Sequence, residues 1–368
     1  RETLRFGMST ALTGPAAQLG INMRTGVLAA FYEKNSHGGI HGKKLELIAL
    51  DDGYEPTRTA PNMKRLIETE DVLAVLGNVG TPTAIAAIPI ANARKTLLFG
   101  SYTGAEVLRR TPPDRYVINY RAGYAEETAA IVDALIDVAG LTVHEIGFFT
   151  QRDAYGDAGY SGGITSLKRH GLNNDHNVAH GRYERNTSAV ENGLADIMGA
   201  TDLPRAIIMV GAYEPCAAFI KLAKELELDF LYANVSFVGS APFVRALEGH
   251  GDGVIITQVV PHTSDDLPLV HRYNAALTGF ENNATSSFGS LEGYIVATIL
   301  IRALESFETV PTRETVIDAL ENLGTFDIGL GQDLRLDSTH HQASSQIWPT
   351  VIRGESVHPF SWDDLRAH

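Results

Sequence analysis

Short apolar runs alternate with amphipathic helical segments along most of this 368-residue chain, and this alternation constrains the fold more than any other feature. The first four apolar runs have the length of strands: LRFGMS (4–9), LELIALDD (45–52), VLAVLG (72–77) and TLLFG (96–100). Helical periodicity separates them over residues 20–35, 56–68 and 81–94. Regular alternation of this kind predicts an α/β fold, in which a parallel sheet carries helices on both faces.

The same alternation restarts near residue 116, which indicates a second, similar half. Its predicted strands are YVINY (116–120), EIGFFT (145–150), AIIMV (206–210), FVGS (237–240) and GVIITQVV (253–260). A mostly helical block follows residue 262, and strand-like segments return at 333–337 and 347–353. The length suits two domains, and the late change in pattern suggests that the chain crosses between them more than once.

Charge and cysteine content exclude several classes of function. There are 30 Lys and Arg against 44 Asp and Glu, so the formal net charge of −14 argues against binding to nucleic acid or to an anionic membrane surface. A single cysteine, Cys216, permits neither an intramolecular disulfide nor a cysteine-based zinc site. No apolar run reaches the ~18 residues of a membrane span. The chain starts at Arg1 without Met, as it would after removal of a leader peptide or after trimming.

One segment matches a catalytic motif. GYSGG (159–163) fits the G-x-S-x-G nucleophile elbow of serine hydrolases, with Ser161 as the nucleophile. That elbow directly follows a strand, whereas here the predicted strand ends at Thr150 and Ser161 falls within a predicted helix. We therefore interpret these residues as small side chains in a helix, and keep a hydrolase as an alternative.

Several glycine, acidic and histidine groups resemble functional motifs but lack the neighbouring elements that those motifs require. We interpret the glycines as a turn, the acids as a capping turn and the histidines as solvated side chains. The groups are Gly249, Gly251 and Gly253; Asp51 and Asp52; and His176, His180, His340 and His341.

Three loops that follow predicted strands are rich in glycine and small hydroxyl residues: 9–20, 77–84 and 100–106. In an open α/β sheet, ligands bind at the carboxyl ends of the strands. Thr81 starts a predicted helix, where free N–H groups favour an anion, and Thr103 follows the next strand. The two hydroxyls suit a small carboxylate, although ordinary helix capping also accounts for such residues.

With these loops in view, the chain resembles the type I periplasmic solute-binding proteins, and most closely the leucine/isoleucine/valine-binding group that serves ABC importers. The similarity rests on the order and spacing of TGPAAQLGINMRTGVLAA, GNVGTPTAIAAIPIA, YAEETAAIVDAL, RDAYGDAG, SFVGS and LEGY, and covers nearly the whole chain. It implies two Rossmann-like lobes joined by three crossovers, which close on a ligand held in the cleft between them. Lobe one is expected at 1–119 plus 262–328, and lobe two at 120–261 plus 329–368.

The resemblance also implies roles for individual residues. In the family a carboxylate is held by hydroxyl residues that match Thr81 and Thr103, with help from the backbone at Gly80 and Ser101. Three further positions match family residues that cover the ligand from lobe two or line its side-chain pocket: Tyr155, Tyr213 and Leu19.

One family feature is missing. Amino-acid binders of this family place a glutamate of lobe two against the ligand ammonium, and that position is Ser236 or Phe237 here. An ammonium buried without an acid would cost several kcal/mol. Either Glu214 or Glu292 substitutes, or the ligand has no ammonium. The aromatic rings of Tyr155, Tyr213 and Phe237 favour a flat or apolar ligand. We therefore predict that carboxylates without an α-amine bind at least as well as leucine or valine.

The resemblance therefore implies a non-enzymatic, extracytoplasmic receptor, located in the periplasm where one exists. It is expected to act as a monomer without cofactor or metal, to bind an aliphatic amino acid or an aromatic or keto acid, and to deliver it to an ABC permease. The nearest alternative is the ligand-sensing domain of a receptor or kinase, and the more distant one is the Ser161 hydrolase.

Overall fold

The computed structural model of the protein describes residues 2–367. The chain forms two compact units. Unit 1 comprises residues up to Thr103, Val107–Arg121 and Thr263–Ser345, and unit 2 comprises Gly104–Glu106, Ala122–His262 and the residues from Gln346 onward. The chain thus passes between the units more than once, as the late change in sequence pattern suggests.

The last boundary differs from the expected one, because residues 329–345 belong to unit 1 and not to the second lobe. Strand pairing explains the difference: Gly324–Phe326 pairs antiparallel with Leu334–Leu336. The chain then continues within unit 1, where the Asn119 N–H donates to the His341 carbonyl at 2.7 Å. A short strand-like segment at 333–337 therefore stays with the unit that precedes it.

The strands and helices follow one another in close agreement with the predicted order. The strands are β1 Thr3–Thr10, β2 Lys44–Asp51, β3 Ala74–Leu76, β4 Leu97–Phe99, β5 Val117–Ile118, β6 Ile146–Gln151, β7 His180–Tyr183, β8 Ala206–Val210, β9 Leu231–Asn234, β10 Ile255–Gln258, β11 Gly324–Phe326, β12 Leu334–Leu336, β13 Trp348–Arg353 and β14 Ser356–Pro359. The α-helices are α1 Ala17–Ser36, α2 Pro56–Lys64, α3 Thr81–Ala93, α4 Tyr124–Asp133, α5 Ala154–Arg169, α6 Glu191–Met198, α7 Tyr213–Glu225, α8 Ser240–Leu247, α9 Pro268–Phe280, α10 Phe288–Glu305 and α11 Arg313–Glu321.

Unit 1 is built on a five-stranded parallel sheet in the order β2-β1-β3-β4-β5. β1 and β2 run in register from Thr3 opposite Lys44 to Thr10 opposite Asp51. β3 and β4 are buried along their whole length and β1 over most of its length, whereas β2, at the edge of the sheet, is mostly half-buried. Because all five strands are parallel, the loops that follow them emerge at the same edge.

Helix α1 packs against α10 at very short range, and glycines allow it. A Cβ added to Gly26 on α1 would lie 1.9 Å from the Ser290 carbonyl oxygen, and one added to Gly293 on α10 would lie 2.4 Å from that of Met23. Both distances are far below van der Waals contact, so any larger side chain would separate the helices. This contact holds the late helical block against the first helix of unit 1.

Unit 2 carries a seven-stranded sheet in the order β14-β13-β10-β9-β8-β6-β7. The pairs from β10 to β7 are parallel, whereas β13 and β14 are antiparallel additions at one edge. The prediction of a second α/β half is confirmed by this sheet. The strand predicted at 237–240 is wrong: Ser236–Val238 is a 3-10 turn, and Gly239 has a φ of 79°, which is incompatible with an extended strand.

Cys216 lies on α7 with its side chain fully buried. Burial raises the pKa of its thiol well above the usual range.

Among residues 2–367, no helix is both long enough and apolar enough to cross a bilayer.

Candidate functional site

The loops at the carboxyl edge of the unit 1 sheet are tied to one another by hydrogen bonds. The Ser9 N–H, near the end of β1, donates to the Asn78 side-chain oxygen at 2.8 Å. Asn78 follows β3, and its carbonyl accepts the Tyr102 N–H at 2.7 Å. The Gly80 N–H in turn donates to the Tyr102 carbonyl at 3.2 Å. The loops after β3 and β4 are therefore held side by side.

This arrangement brings the two predicted threonines together. The Oγ1 atoms of Thr81 and Thr103 are 2.6 Å apart, and both side chains are buried. Thr81 is the first residue of α3, and the N-cap is Gly80, which makes no side-chain capping bond. The Thr81 hydroxyl therefore does not serve as the helix cap, which was the structural interpretation left open by the sequence.

Gly80 is required at its position. Its φ of 107° is one that side-chain-bearing residues rarely adopt, and a Cβ would lie 2.8 Å from the Thr83 Oγ1 atom and 3.0 Å from the Tyr54 ring. Pro82, the second residue of α3, has no N–H, so the N–H groups of Thr81 and Thr83 are the ones that this helix start leaves without a partner within the helix. Such a helix start favours a negatively charged group.

Ser101 completes the hydroxyl set of unit 1. Its side chain is 2 % exposed, and its Oγ has no hydrogen-bond partner within the described part of the chain. A buried hydroxyl without a partner costs free energy unless a ligand or water satisfies it. Leu19 on α1, predicted to line a side-chain pocket, is buried at 2 % exposure.

The Asp51–Asp52 prediction of a capping turn is confirmed. Burial raises the pKa of Asp52, whose carboxylate accepts hydrogen bonds from Ser9, Thr59 and the Tyr54 N–H. At Asp51 burial acts in the same direction, but hydrogen bonds from the Thr13 hydroxyl, two backbone N–H groups and Arg58 outweigh it and lower the pKa to about 2. Both acids fasten the loop after β2.

The predicted residues of unit 2 also lie at strand ends. Tyr155 follows β6 and donates its hydroxyl to the Gly211 carbonyl at 3.0 Å, just after β8. Its ring lies 4.3 Å from the Phe237 ring and 5.5 Å from the Tyr124 ring, measured between centroids. Tyr213 is the first residue of α7 and is 4 % exposed. Tyr155 and Phe237 therefore share one buried aromatic cluster at the carboxyl edge of the sheet.

Glu127, a fully buried acid on α4, is not among the residues predicted from the sequence. Its Oε1 accepts the Ser236 N–H at 2.8 Å and the Thr257 hydroxyl at 2.7 Å, and its Oε2 accepts the Ser236 hydroxyl at 3.1 Å. A signal was present, because Glu127 falls on the buried stripe of α4 between Tyr124 and Ile131. An acid on such a stripe needs a polar partner elsewhere in the fold.

Glu292 and Glu214, the two acids that could replace the family glutamate, lie in different surroundings. Glu292 on α10 binds the Arg121 guanidinium through both oxygens, at 2.8 and 2.9 Å, and both side chains are buried within unit 1. Arg121 also lies over the Tyr102 ring, 4.4 Å from its centroid. Glu214 is exposed in the first turn of α7. Glu127, by contrast, accepts hydrogen bonds from both the N–H and the hydroxyl of Ser236.

Ser161 lies in the interior of α5 and is exposed. The strand β6 ends at Gln151, so the strand–turn–helix geometry of a nucleophile elbow is not formed there. The position of this residue in a helix is as predicted.

The prediction of solvated histidines is wrong for two residues. His180 lies in β7, and its Nε2 atom is hydrogen-bonded to the Thr150 hydroxyl at 2.7 Å. Its ring stacks on that of Tyr160, with 4.1 Å between the ring centroids. Burial, together with the positive charge of Arg182, lowers its pKa to about 4. His341 is buried between the Val117 carbonyl at 2.8 Å and Glu321 at 3.1 Å.

Among the described residues, Asp133, Asp137 and His170 form one group whose side-chain atoms could converge on a metal ion. The His170 Nε2 atom already bonds to the Asp133 carboxylate at 2.7 Å, and the Arg169 guanidinium lies 3.7 Å from the same carboxylate. This group is accounted for as a surface ion-pair cluster.

Comparison with known proteins agrees with this architecture. The family model described as periplasmic binding protein matches residues 3–356. A leucine-, isoleucine-, valine-, threonine-, and alanine-binding protein of Pseudomonas aeruginosa is 23% identical over 341 residues, which is 90% of this chain and 85% of that protein.

Solved structures are similar over the whole length. A possible leucine/isoleucine/valine-binding protein from Rhodopirellula baltica SH 1 is 53% identical with a TM-score of 0.96, covering 99% of this chain and 97% of that one. A substrate-binding periplasmic protein from Ralstonia solanacearum is 26% identical with a TM-score of 0.87, covering 96% and 98%. The predicted fold of two Rossmann-like lobes is confirmed, and the chain belongs to the periplasmic binding protein family.

Proposed function

We propose that this protein is an extracytoplasmic solute receptor of an ABC importer and that it binds a small carboxylate ligand. The names of its relatives support this class of ligand, since the Pseudomonas aeruginosa relative is a binding protein for five amino acids. A Thermomonospora curvata protein of the same fold, 19% identical, is named a fatty acid ABC transporter substrate-binding protein. Both names denote molecules with a carboxylate.

The observation that carries the proposal is the hydroxyl pair of Thr81 and Thr103, 2.6 Å apart at the carboxyl ends of β3 and β4. Ser101, two residues before Thr103, has a buried hydroxyl that finds no hydrogen-bond partner in residues 2–367. Hydroxyl donors at a helix start are suited to a carboxylate, because hydrogen bonds to a charged acceptor are worth about 1.5–3 kcal/mol each. Gly80 gives the same ligand access to the backbone of α3.

In this proposal unit 2 supplies the contacts to the rest of the ligand. Tyr155, Phe237 and Tyr213 follow three strands of its sheet and offer apolar ring surface, while Ser236 offers a hydroxyl. Leu19 contributes an aliphatic surface from unit 1.

The receptor acts without catalysis, as a monomer, and passes its ligand to a permease in the membrane. The test is calorimetric titration with amino acids and small organic acids, combined with mass spectrometry of any molecule that co-purifies. We expect one ligand per chain, no turnover, and weaker binding in both Thr81→Val and Thr103→Val. Ester hydrolysis that is lost in Ser161→Ala would instead support the hydrolase alternative.

A further inference from the structure

We propose that Arg182 and His180 on β7 position the loop that carries Tyr155, and that protonation of His180 loosens this loop and so weakens ligand binding in mild acid. The inference rests on the proposed function, because it takes Tyr155 as a ligand contact of unit 2. It adds a dependence on pH that the proposed function does not contain. The juxtaposition that carries it is a basic and a titratable side chain bonded to one buried hydroxyl, that of Thr150.

Arg182 ties the edge strand β7 to the loop that follows β6. Its Nε atom donates to the Thr150 hydroxyl at 3.2 Å, and its Nη2 atom donates to the Gln151 carbonyl at 2.8 Å and to the Asp157 carboxylate at 2.6 Å. Thr150 and Gln151 are the last two residues of β6, and Asp157 lies in the first turn of α5. One half-buried guanidinium therefore holds both ends of the loop that connects the strand to the helix.

The same loop fixes Tyr155 through Asp153. The Asp153 N–H donates to the Gln151 carbonyl at 2.9 Å, so that carbonyl accepts from Asp153 and Arg182 together. The Asp153 side chain caps α5 by accepting the Tyr155 N–H at 3.0 Å. A shift of the Arg182 guanidinium therefore acts on the carbonyl and the cap that set the position of Tyr155.

The hydrogen bonds at Thr150 determine the protonation state of His180. The Thr150 hydroxyl accepts from Arg182, and for its own hydrogen the acceptor that residues 2–367 offer is the His180 Nε2 atom, 2.7 Å away. That nitrogen must then carry a lone pair, so the ring is neutral with its hydrogen on Nδ1. A protonated ring would donate from Nε2 and leave the buried hydroxyl hydrogen without an acceptor. It would also bring a second positive charge to the oxygen that already accepts from Arg182.

The groups that face His180 favour the neutral ring. Its own strand brings Arg182, and the loop after β6 brings the exposed Arg152. Helix α5 brings the stacked Tyr160 ring and the carboxylate of Asp157, which is already engaged by Arg182. Burial, with the two arginines acting in the same direction and Asp157 against them, lowers the pKa of His180 to about 4.

Acid is therefore expected to weaken binding. The bound state needs the ordered loop, and the ordered loop needs neutral His180, so binding expels a proton from any chain whose ring is charged. As the pH falls from 6.5, the pKa of an unperturbed histidine, towards 4, proton uptake at His180 competes with the ligand. Affinity is highest at neutral pH and falls in acid by at most about 10-fold per pH unit.

The experiment is calorimetric titration with leucine, phenylalanine and their 2-oxo acids, which keep their charges between pH 7 and pH 5. The acid that binds most tightly at pH 7 is titrated at pH 5 in two buffers of different ionisation enthalpy, which gives the number of protons released on binding. We expect the wild type to bind at least about 3-fold more weakly at pH 5 and to release protons there. Circular dichroism at pH 5 checks that the chain is folded.

Four variants separate this device from a general effect of acid. His180→Gln keeps an acceptor for Thr150 and cannot be charged, so it should bind within about 3-fold of the wild type at pH 7 and lose both the pH dependence and the proton release. His176→Gln, at an exposed histidine, should keep both. Arg182→Gln should weaken binding at pH 7 by about 5-fold or more. Arg205→Gln is its matched control, because Arg205 precedes β8 at the opposite edge of the same sheet, and it should bind like the wild type.

Three results would overturn the inference. The first is equal wild-type affinity at both pH values without proton release. The second is a folded His180→Gln that keeps the pH dependence, and the third is a folded Arg182→Gln with wild-type affinity at pH 7. The wild-type measurement needs no variant, so a loss of folding in either variant still leaves a decisive result.

The proposed function fails separately. If Thr103→Val weakens binding at pH 7 while the wild type releases no proton at pH 5, the carboxylate receptor stands and only the role of His180 and Arg182 is wrong. A chain that binds none of the four acids contradicts both proposals.

Discussion

Arg121 and Glu292 form a buried ion pair with two parallel hydrogen bonds, 2.9 Å from Nε to Oε2 and 2.8 Å from Nη2 to Oε1. Arg121 precedes the point where the chain enters unit 2, and Glu292 belongs to the late helical block of unit 1. The pair therefore fastens the end of the Val107–Arg121 segment of unit 1 to a residue of α10 that is 171 positions away in sequence.

Breaking this pair should destabilise the protein strongly. We expect Glu292→Gln to lower the free energy of unfolding by ~3–5 kcal/mol, because the Arg121 charge would stay buried without its carboxylate. The double variant Arg121→Met with Glu292→Met should lose less than the sum of the two single changes. Urea denaturation followed by circular dichroism measures both, and a change under ~1 kcal/mol in Glu292→Gln would contradict the expectation.

Thr103→Val should weaken ligand binding ~10-fold or more, since the valine keeps the shape of the threonine and loses its hydroxyl. Calorimetric titration gives the affinity. Thr298→Val is the matched control, because the Thr298 hydroxyl donates to the Tyr294 carbonyl of its own helix at 2.7 Å and has no predicted role in the ligand site. Unchanged affinity in both Thr81→Val and Thr103→Val would remove the carboxylate assignment.

Gly80→Ala should weaken ligand binding by more than its loss of folding stability accounts for. The added Cβ would meet Thr83 Oγ1 at 2.8 Å and the Tyr54 ring at 3.0 Å, so the start of α3 must shift. Gly38→Ala is the control, because Gly38 has a similar φ of 93° and no atom within 4 Å of its added Cβ. Both variants carry the backbone strain, and only Gly80→Ala should displace Thr81 from Thr103; equal affinities in the two would contradict this.

His180 should make the protein less stable in mild acid. Burial, with the charge of Arg182, lowers its pKa to about 4 from the 6.5 of an unperturbed histidine. Between these values the unfolded chain binds a proton that the folded chain does not, so stability falls as the pH drops from 6.5 towards 4, by at most ~1.4 kcal/mol per pH unit.

The variant His180→Gln should reduce this slope, and the exposed neighbour His176→Gln should leave it unchanged. Urea midpoints at several pH values between 7 and 4 provide the measurement. Identical slopes in the wild type and His180→Gln would show that this histidine is not responsible.

The sequence predicted what depends on local pattern and on strand order. Alternating elements require parallel sheets, and parallel sheets bring the loops after β3 and β4 to one edge, which is why Thr81 and Thr103 meet. Glu127 could not be placed in this way, since its partners Ser236 and Thr257 are 109 and 130 residues away. Contacts of that separation depend on how helices pack on the sheet, and no local periodicity encodes them.

Two local predictions failed for identifiable reasons. The run at 237–240 has the apolar content of a strand, but Gly239 turns the backbone to a positive φ and leads directly into α8. His180 was placed in an irregular polar stretch, yet β7 alternates buried and half-buried positions at the edge of the sheet. A local glycine turn decided the first case, and pairing of β7 with β6 decided the second.

The burial of Cys216 has a practical consequence for measuring ligand capture. A thiol that is fully enclosed and has a raised pKa supplies almost no thiolate, so it should resist maleimide and iodoacetamide dyes under native conditions. Since Cys216 is the single cysteine of the sequence, a second one introduced at the exposed position Glu214, beside Tyr213, would be the one site open to labelling. A fluorophore attached there would convert the wild-type scaffold into an optical reporter of its own ligand without removal of the native cysteine.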